Sequence, residues 1–131
     1  WGAIYDYGNT VAERIGGKGE PSVPGYAEHV NWVFGKRTIE ETLAVVKEMT
    51  LEGVAEKITC PLLIVHGEND RQIPLHHAER TYREAVNAAS REPKVFPVSE
   101  GRAAHCAADD NSLAIDYTAD WAGKIPGGNL S

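Results

Sequence analysis

The chain has 131 residues, 42% of them hydrophobic and 24% charged, which is enough for one soluble domain with its own core. A net charge of -6, with no run among its thirteen Lys and Arg residues, excludes a phosphate-binding surface or a polybasic membrane patch, so neither nucleic acid nor membrane is expected as a partner. Apolar runs stay far below the roughly 20 residues that cross a bilayer, and two cysteines make no disulfide framework, which suits a cytoplasmic, reducing setting.

Residues 1–8 read as the end of a core strand running into a turn, with Asp6 and Gly8 as breakers. An opening of Trp1-Gly2-Ala3-Ile4-Tyr5, apolar and without an initiator Met, reads as the middle of a longer protein or as a processed N-terminus. Residues 9–57 follow as short helical pieces. Val11 to Ile15 suits a short helix, and Gly16-Gly17-Lys18-Gly19-Glu20-Pro21 is a loop by composition. That glycine cluster lacks the flanking strand and helix a phosphate loop needs. Pro24 opens a helix in which Tyr26, Val30 and Val33 share a face with Phe34 beside them. An aromatic, broken region of this kind is either a lid over a pocket or a helical hairpin packed on the core. Tyr5, Tyr7, Tyr26 and Trp32 accordingly either line an acyl pocket or pack in that core.

Thr38-Ile39-Glu40-Glu41 carries a capping box, in which the Thr hydroxyl caps the third helical amide. The helix it starts has Ile39, Leu43, Val46 and Met49 on one stripe. A second short helix is expected over 51–57, with Leu51, Val54, Ala55 and Ile58 inward, ending before Pro61.

Residues 58–125 are the part with a core α/β signature. Leu62-Leu63-Ile64-Val65 is an apolar run typical of a strand buried on both faces of a parallel sheet. Gly67 follows as a point where the backbone can bend, and Asp70 is carried past the strand's carboxyl end, where open α/β sheets place their chemistry. Pro74 suits the first turn of a helix striped by Leu75, Ala78, Tyr82, Ala85, Val86 and Ala89. Lys94-Val95-Phe96-Pro97-Val98 reads as an edge strand, because Pro97 cannot donate to a ladder. A loop over 100–111 carries His105, with Asp109 and Asp110 as solvated loop residues. Ser112 then caps a helix with Leu113, Tyr117 and Trp121 on one face, and 126–131 are a tail. The order β-α-β-α implies a parallel pair joined by a crossover.

A strand ending in Gly-x-x-Asp, a crossover helix, an edge strand, a His-bearing loop and a closing helix resembles the C-terminal third of an α/β-hydrolase. The chain order of that family's triad is Ser, then Asp or Glu, then His. The stretch from Ile58 to Pro74, with Trp1–Tyr7 and Pro21–Pro24, is similar to the bacterial and fungal hydrolases typified by 2,6-dihydroxypseudooxynicotine hydrolase and to fungal polyketide chain-shortening hydrolases. The resemblance implies the last parallel strands, crossover helices and part of a helical lid of that fold, with an incomplete sheet. It implies Asp70 as the acid that orients an imidazole and His105 as the general base, with no cofactor and no metal. It also implies cleavage of a carbon–carbon bond beside a ketone, or of an ester or thioester, in a small-molecule acyl substrate.

None of Ser22, Ser90, Ser99, Ser112 or Ser131 lies in Gly-x-Ser-x-Gly, so the nucleophile is expected outside this chain. The partner it then needs is the N-terminal remainder of the same enzyme or a second copy of itself. A non-catalytic pseudo-hydrolase or interaction module is the alternative. Cys106, next to His105, is either a thiol nucleophile or a small buried residue, and because sequence neighbours point apart and no other cation or helix N-terminus adjoins it, the buried reading is expected. His66 belongs to the strand end, and His76 and His77 to different faces of a helix, which argues against a metal site.

Overall fold

The computed structural model describes residues 1–17 and 24–125, so the expectations for Pro21, Ser22 and Val23, for most of the glycine cluster and for the tail lie outside the described residues. The protein is of mixed α/β class and divides into two compact units, Tyr5–Glu52 and Trp1–Ile4 with Gly53–Ser131.

The Tyr5–Glu52 unit holds three helices, α1 (Tyr7–Ile15), α2 (Tyr26–Val33) and α3 (Ile39–Val46). Helix α1 starts four residues earlier than expected, because Asp6 is its N-cap and accepts from Asn9 N at 2.8 Å. Gly8 is no breaker either. It lies inside α1, where a Cβ would come within 2.5 Å of the Val46 carbonyl oxygen, so its small size lets α3 cross closely. Asp6 and Thr50 form an antiparallel bridge, and Leu51 N donates to the Tyr5 carbonyl at 2.8 Å, closing the unit where its chain enters and leaves.

Val11, Val30 and Val46 form this unit's core, with Tyr7, Ile15, Tyr26, Phe34 and Leu43 packed against it. Tyr26, Val30, Leu43 and Val46 face this core as the stripes predict, and two stripe members do not. Val33 and Met49 are largely exposed, and Phe34 and Thr42 take the inward places, Phe34 with its ring 6.2 Å from that of Tyr7. Thr42 is fully buried because its hydroxyl bonds Asn31 Oδ1 at 2.6 Å, which lets a polar residue join α3 to α2. The Thr38 cap forms in the register expected, and only the reciprocal bond differs, going to the residue before the cap. Thr38 Oγ1 accepts from Glu41 N at 3.3 Å, while the Glu41 carboxylate takes the amide of Arg37.

In the other unit, β1 (Leu62–Gly67) and β2 (Arg91–Phe96) pair in parallel through α4 (His76–Glu84), and α5 (Ser112–Lys124) follows. Leu51 to Lys57 do not form a helix beyond a 3-10 turn at Ala55–Lys57, in which Ala55 is buried and Val54 faces out. The register matches Leu62 with Arg91 and Gly67 with Phe96. Leu62 N bonds the Ser90 carbonyl at one end and Glu68 N the Phe96 carbonyl at the other. The N–H and C=O groups of even-numbered residues in both strands therefore point at the partner strand, and those of odd-numbered residues point outward. Pro93 is odd-numbered, so its missing N–H lies on the free side of β2. The edge-strand reading thus holds with a different proline, since the strand begins three residues earlier than expected and Pro97 lies beyond it.

Arg91 explains that early start. Its guanidinium donates to the Tyr82 carbonyl at 2.7 Å and the Arg83 carbonyl at 3.1 Å, capping the end of α4 and stacking over the Tyr82 ring. Helix α4 therefore stops at Glu84 instead of running on toward Ser90, and Val86 is exposed.

Side chains alternate across the sheet. Val65 and Phe96 point to the α5 side, where they bury Ala107 and Ala114 with Leu63 and Tyr117. Ile64, Pro93 and Val95 point to the α4 side and meet Leu75, Ala78 and Tyr82. On α5 the inward residue is Ala114, Leu113 is exposed, and Ser112 is the first helical residue rather than the cap. Among the described residues, no helix is long and apolar enough to cross a membrane.

Candidate active site

Asp70 sits in the turn after β1 with only 1% of its side chain accessible. Burying a carboxylate requires that its lone pairs be filled. Oδ1 accepts from Gln72 N at 2.8 Å and from Ile73 N at 2.9 Å, so the turn wraps around it. Oδ2 is left for His105, whose Nδ1 lies 2.8 Å away across 35 positions of sequence. The backbone amides fix the rotamer, and the remaining oxygen is aimed by default.

The acid turn and the His loop are joined backbone to backbone. Asn69 N donates to the Ala103 carbonyl at 3.0 Å. A Cβ on Gly67 would stand 2.3 Å from that same oxygen and 2.7 Å from the Ala104 carbonyl. Gly67 was expected to let the chain bend, but its φ is not positive; what it supplies is room for the His loop to lie against the strand end.

The loop itself is closed by Arg102, which donates to Asp110 Oδ2 at 2.8 Å and to the Glu100 carbonyl. Asp110 is thus more than a solvated loop residue. Its carboxylate takes the hydroxyl and amide of Ser112, and these bonds, with Arg102, hold its pKa below the ordinary carboxylate value.

With Nδ1–H bonded to Asp70, the His105 tautomer that results carries its lone pair on Nε2, the form a general base needs. The imidazole is partly accessible, 31% for its side chain, and flanks a cleft of about 420 Å³ lined by Asn69, Arg71, Gln72, Ala104 and Ala108. A buried carboxylate, an imidazole oriented by it and an open cleft thus lie together past the carboxyl end of β1. The chain matches no family model, and no curated protein or solved structure matches it.

Asp70 and His105 are thus brought together as the sequence reading had them. Two further residues belong to the cluster and were not anticipated. His66 is buried beneath the acid turn. Its Nε2 donates to the Ile73 carbonyl at 2.8 Å and lies 3.7 Å from Asp70 Oδ2, so it pins the far end of the turn that wraps the carboxylate. The spacing His66 to Asp70, one strand end apart, was the available signal. Its Nδ1 is buried with no hydrogen-bond partner among the described residues. Cys106 is exposed rather than buried, and its Sγ lies 3.5 Å from His105 Nε2. Sequence neighbours ordinarily diverge, but Cys106 has φ +52°, and this left-handed turn brings its thiol back over the imidazole.

The four candidate pocket aromatics lie in the helical unit. Tyr5 is buried, and Tyr7 and Tyr26 pack on the Val11–Val30–Val46 cluster, where burial raises the Tyr7 hydroxyl pKa. Trp32 is 79% exposed.

Proposed function

We propose that Asp70 and His105 are the acid and general base of a serine hydrolase of the α/β-hydrolase type, and that this chain forms the C-terminal part of its catalytic unit. The observation that carries the reading is the 2.8 Å bond from His105 Nδ1 to a carboxylate that is buried, wrapped by two amides and placed at the end of a parallel strand. A merely structural Asp at a turn has no need to hold one oxygen free for an imidazole.

In this reading His105 Nε2 takes the proton of a nucleophilic serine, Asp70 stabilises the imidazolium that forms, and His105 returns the proton to the leaving group. The substrate is a small acyl compound, a ketone cleaved beside its carbonyl or an ester or thioester, and the pair itself uses no cofactor. The serine and oxyanion hole lie outside this chain. Among the described residues, none of Ser90, Ser99 and Ser112 hydrogen-bonds to His105.

A fluorophosphonate probe tests this. The 131-residue chain is expected to stay unlabelled. A longer product of the same reading frame, extended upstream through a Gly-x-Ser-x-Gly turn, is expected to label at that serine. Asp70→Asn or His105→Gln in the longer protein should then slow labelling by about a hundredfold or more. Labelling of this chain at one of its own serines sinks the proposal. An upstream frame without such a turn does so too, and favours a non-catalytic pseudo-hydrolase.

A further inference from the structure

The acid–base pair does have a candidate nucleophile within reach, one that the hydrolase reading leaves unused. Cys106 Sγ is 3.5 Å from His105 Nε2, a hydrogen-bonding distance for sulfur, and His105 Nδ1 is held by the buried Asp70 carboxylate. The alignment is Sγ, Nε2, Nδ1, Oδ2, the order of a thiol, a base and an orienting acid. Two features hold it. Cys106 and Ala107 both have φ of +52°, which side-chain-bearing residues adopt only when their surroundings require it, and Ala107 is anchored in the core with Val65 and Phe96. On the other side Gly2 packs so closely that a Cβ there would stand 2.9 Å from Sγ and 3.6 Å from the His105 ring. The thiol is confined beside the imidazole yet open to solvent.

We propose that Cys106 is a reactive thiol activated by His105, a modification site for low-molecular-weight disulfides that switches the Asp70–His105 pair off. His105 Nε2 takes the Sγ proton, and the thiolate attacks one sulfur of the disulfide. The new S–S bond forms as the old one breaks, and the leaving thiolate recovers the proton from His105. The products are a mixed disulfide at Cys106 and one free thiol, with the disulfide as the oxidant. The group added to Sγ then stands in front of Nε2, where any other nucleophile would have to give up its proton. The inference rests on the geometry of Cys106, His105 and Asp70 and holds whether or not a serine is also served.

The chain carries its own control. Cys60 is also exposed, and among the described residues it makes no hydrogen bond to a histidine as Cys106 does. With iodoacetamide on the folded chain at neutral pH, Cys106 is expected to be alkylated about tenfold faster than Cys60, read by peptide mass spectrometry. In denaturant the two rates should converge. His105→Gln should bring Cys106 down to the rate of Cys60. Asp70→Asn, whose amide N–H would face Nδ1 and move the ring proton to Nε2, should do so as well. Oxidised glutathione should add to Cys106 before Cys60, reversibly with dithiothreitol. Equal rates in the folded wild-type chain overturn the proposal, and so does a fast Cys106 that ignores both substitutions. If His105→Gln does not fold, the wild-type ratio and Asp70→Asn decide. A fluorophosphonate reads serine and iodoacetamide reads thiol, so failure of the hydrolase reading and failure of this one are separate results.

Discussion

In the helical unit the buried polar side chains are Thr10 and Thr42, and both hydroxyls donate to neighbours on the helices, Thr10 to the Asp6 carbonyl and Thr42 to Asn31 Oδ1. Among the described residues of the α/β unit they are His66, Asp70, His77 and Thr81, three of them titratable. A buried hydroxyl costs little once it has one acceptor, so it serves packing. A buried carboxylate is costly, and here it is retained with two amides filling one oxygen while the other faces a half-open imidazole. What separates the units is therefore how much desolvation each bears, and that cost falls where Asp70 meets His105.

Substitutions can break or sharpen this contrast. The largest effect is expected from Gly67→Ala. Its methyl would collide with the Ala103 carbonyl, a backbone atom that cannot swing away, and should cost about 3 kcal/mol on denaturant unfolding. The same change should abolish the low-field proton signal of a His105 Nδ1–H bonded to Asp70. Asp70→Ala comes next, at about 2 kcal/mol, because the amides of Gln72 and Ile73 lose their acceptor. Asp70→Asn should cost less, since one oxygen still serves both amides. If the two variants prove equally destabilising, the amide cradle is not what holds the carboxylate.

In the helical unit, Thr42→Val removes the bond to Asn31 at the α2–α3 crossing and should cost about 1 kcal/mol. The rate of Cys106 alkylation should not change, and a change would erase the distinction between the two kinds of buried polar group. The smallest effect is expected at Asp110. Its pKa is lower in the folded chain than in the unfolded one, so the folded state binds that proton less readily. The resulting stabilisation is present above about pH 4 and fades as pH falls through the folded value. A melting series in acid should show a slightly shallower loss in Asp110→Asn than in wild type.

Much of the site could be read from sequence, because a strand buried on both faces and an acid three residues past its glycine are local patterns. Leu62–Val65 and the Gly67-to-Asp70 spacing needed no long-range information. The partner His105 was found by the order of elements, and the structure places it within hydrogen-bonding distance. The strand and helix boundaries around Ala85–Lys94 were missed, because Arg91 ends α4 from outside it. The α3 stripe of Leu43 and Val46 was legible, but buried Thr42 was not, because its partner Asn31 lies on another helix. Cys106 was misjudged for a different reason. The usual divergence of adjacent side chains fails at a left-handed residue, and nothing in Ala104-His105-Cys106-Ala107 announces two such residues in a row.

The outward-facing Pro93 has a consequence for how this sheet meets other strands. A chain docking along the free side of β2 would find a missing donor at the middle of the strand, so extension there is interrupted after one or two bonds. On the opposite side, Gly2 N already donates to the outward carbonyl of Val65 at 3.1 Å. The two margins are thus unequal templates: one is blunted by an imino acid, and the other already accepts backbone. Growth of this sheet, whether in assembly or in aggregation, has a preferred direction written into Pro93 of β2.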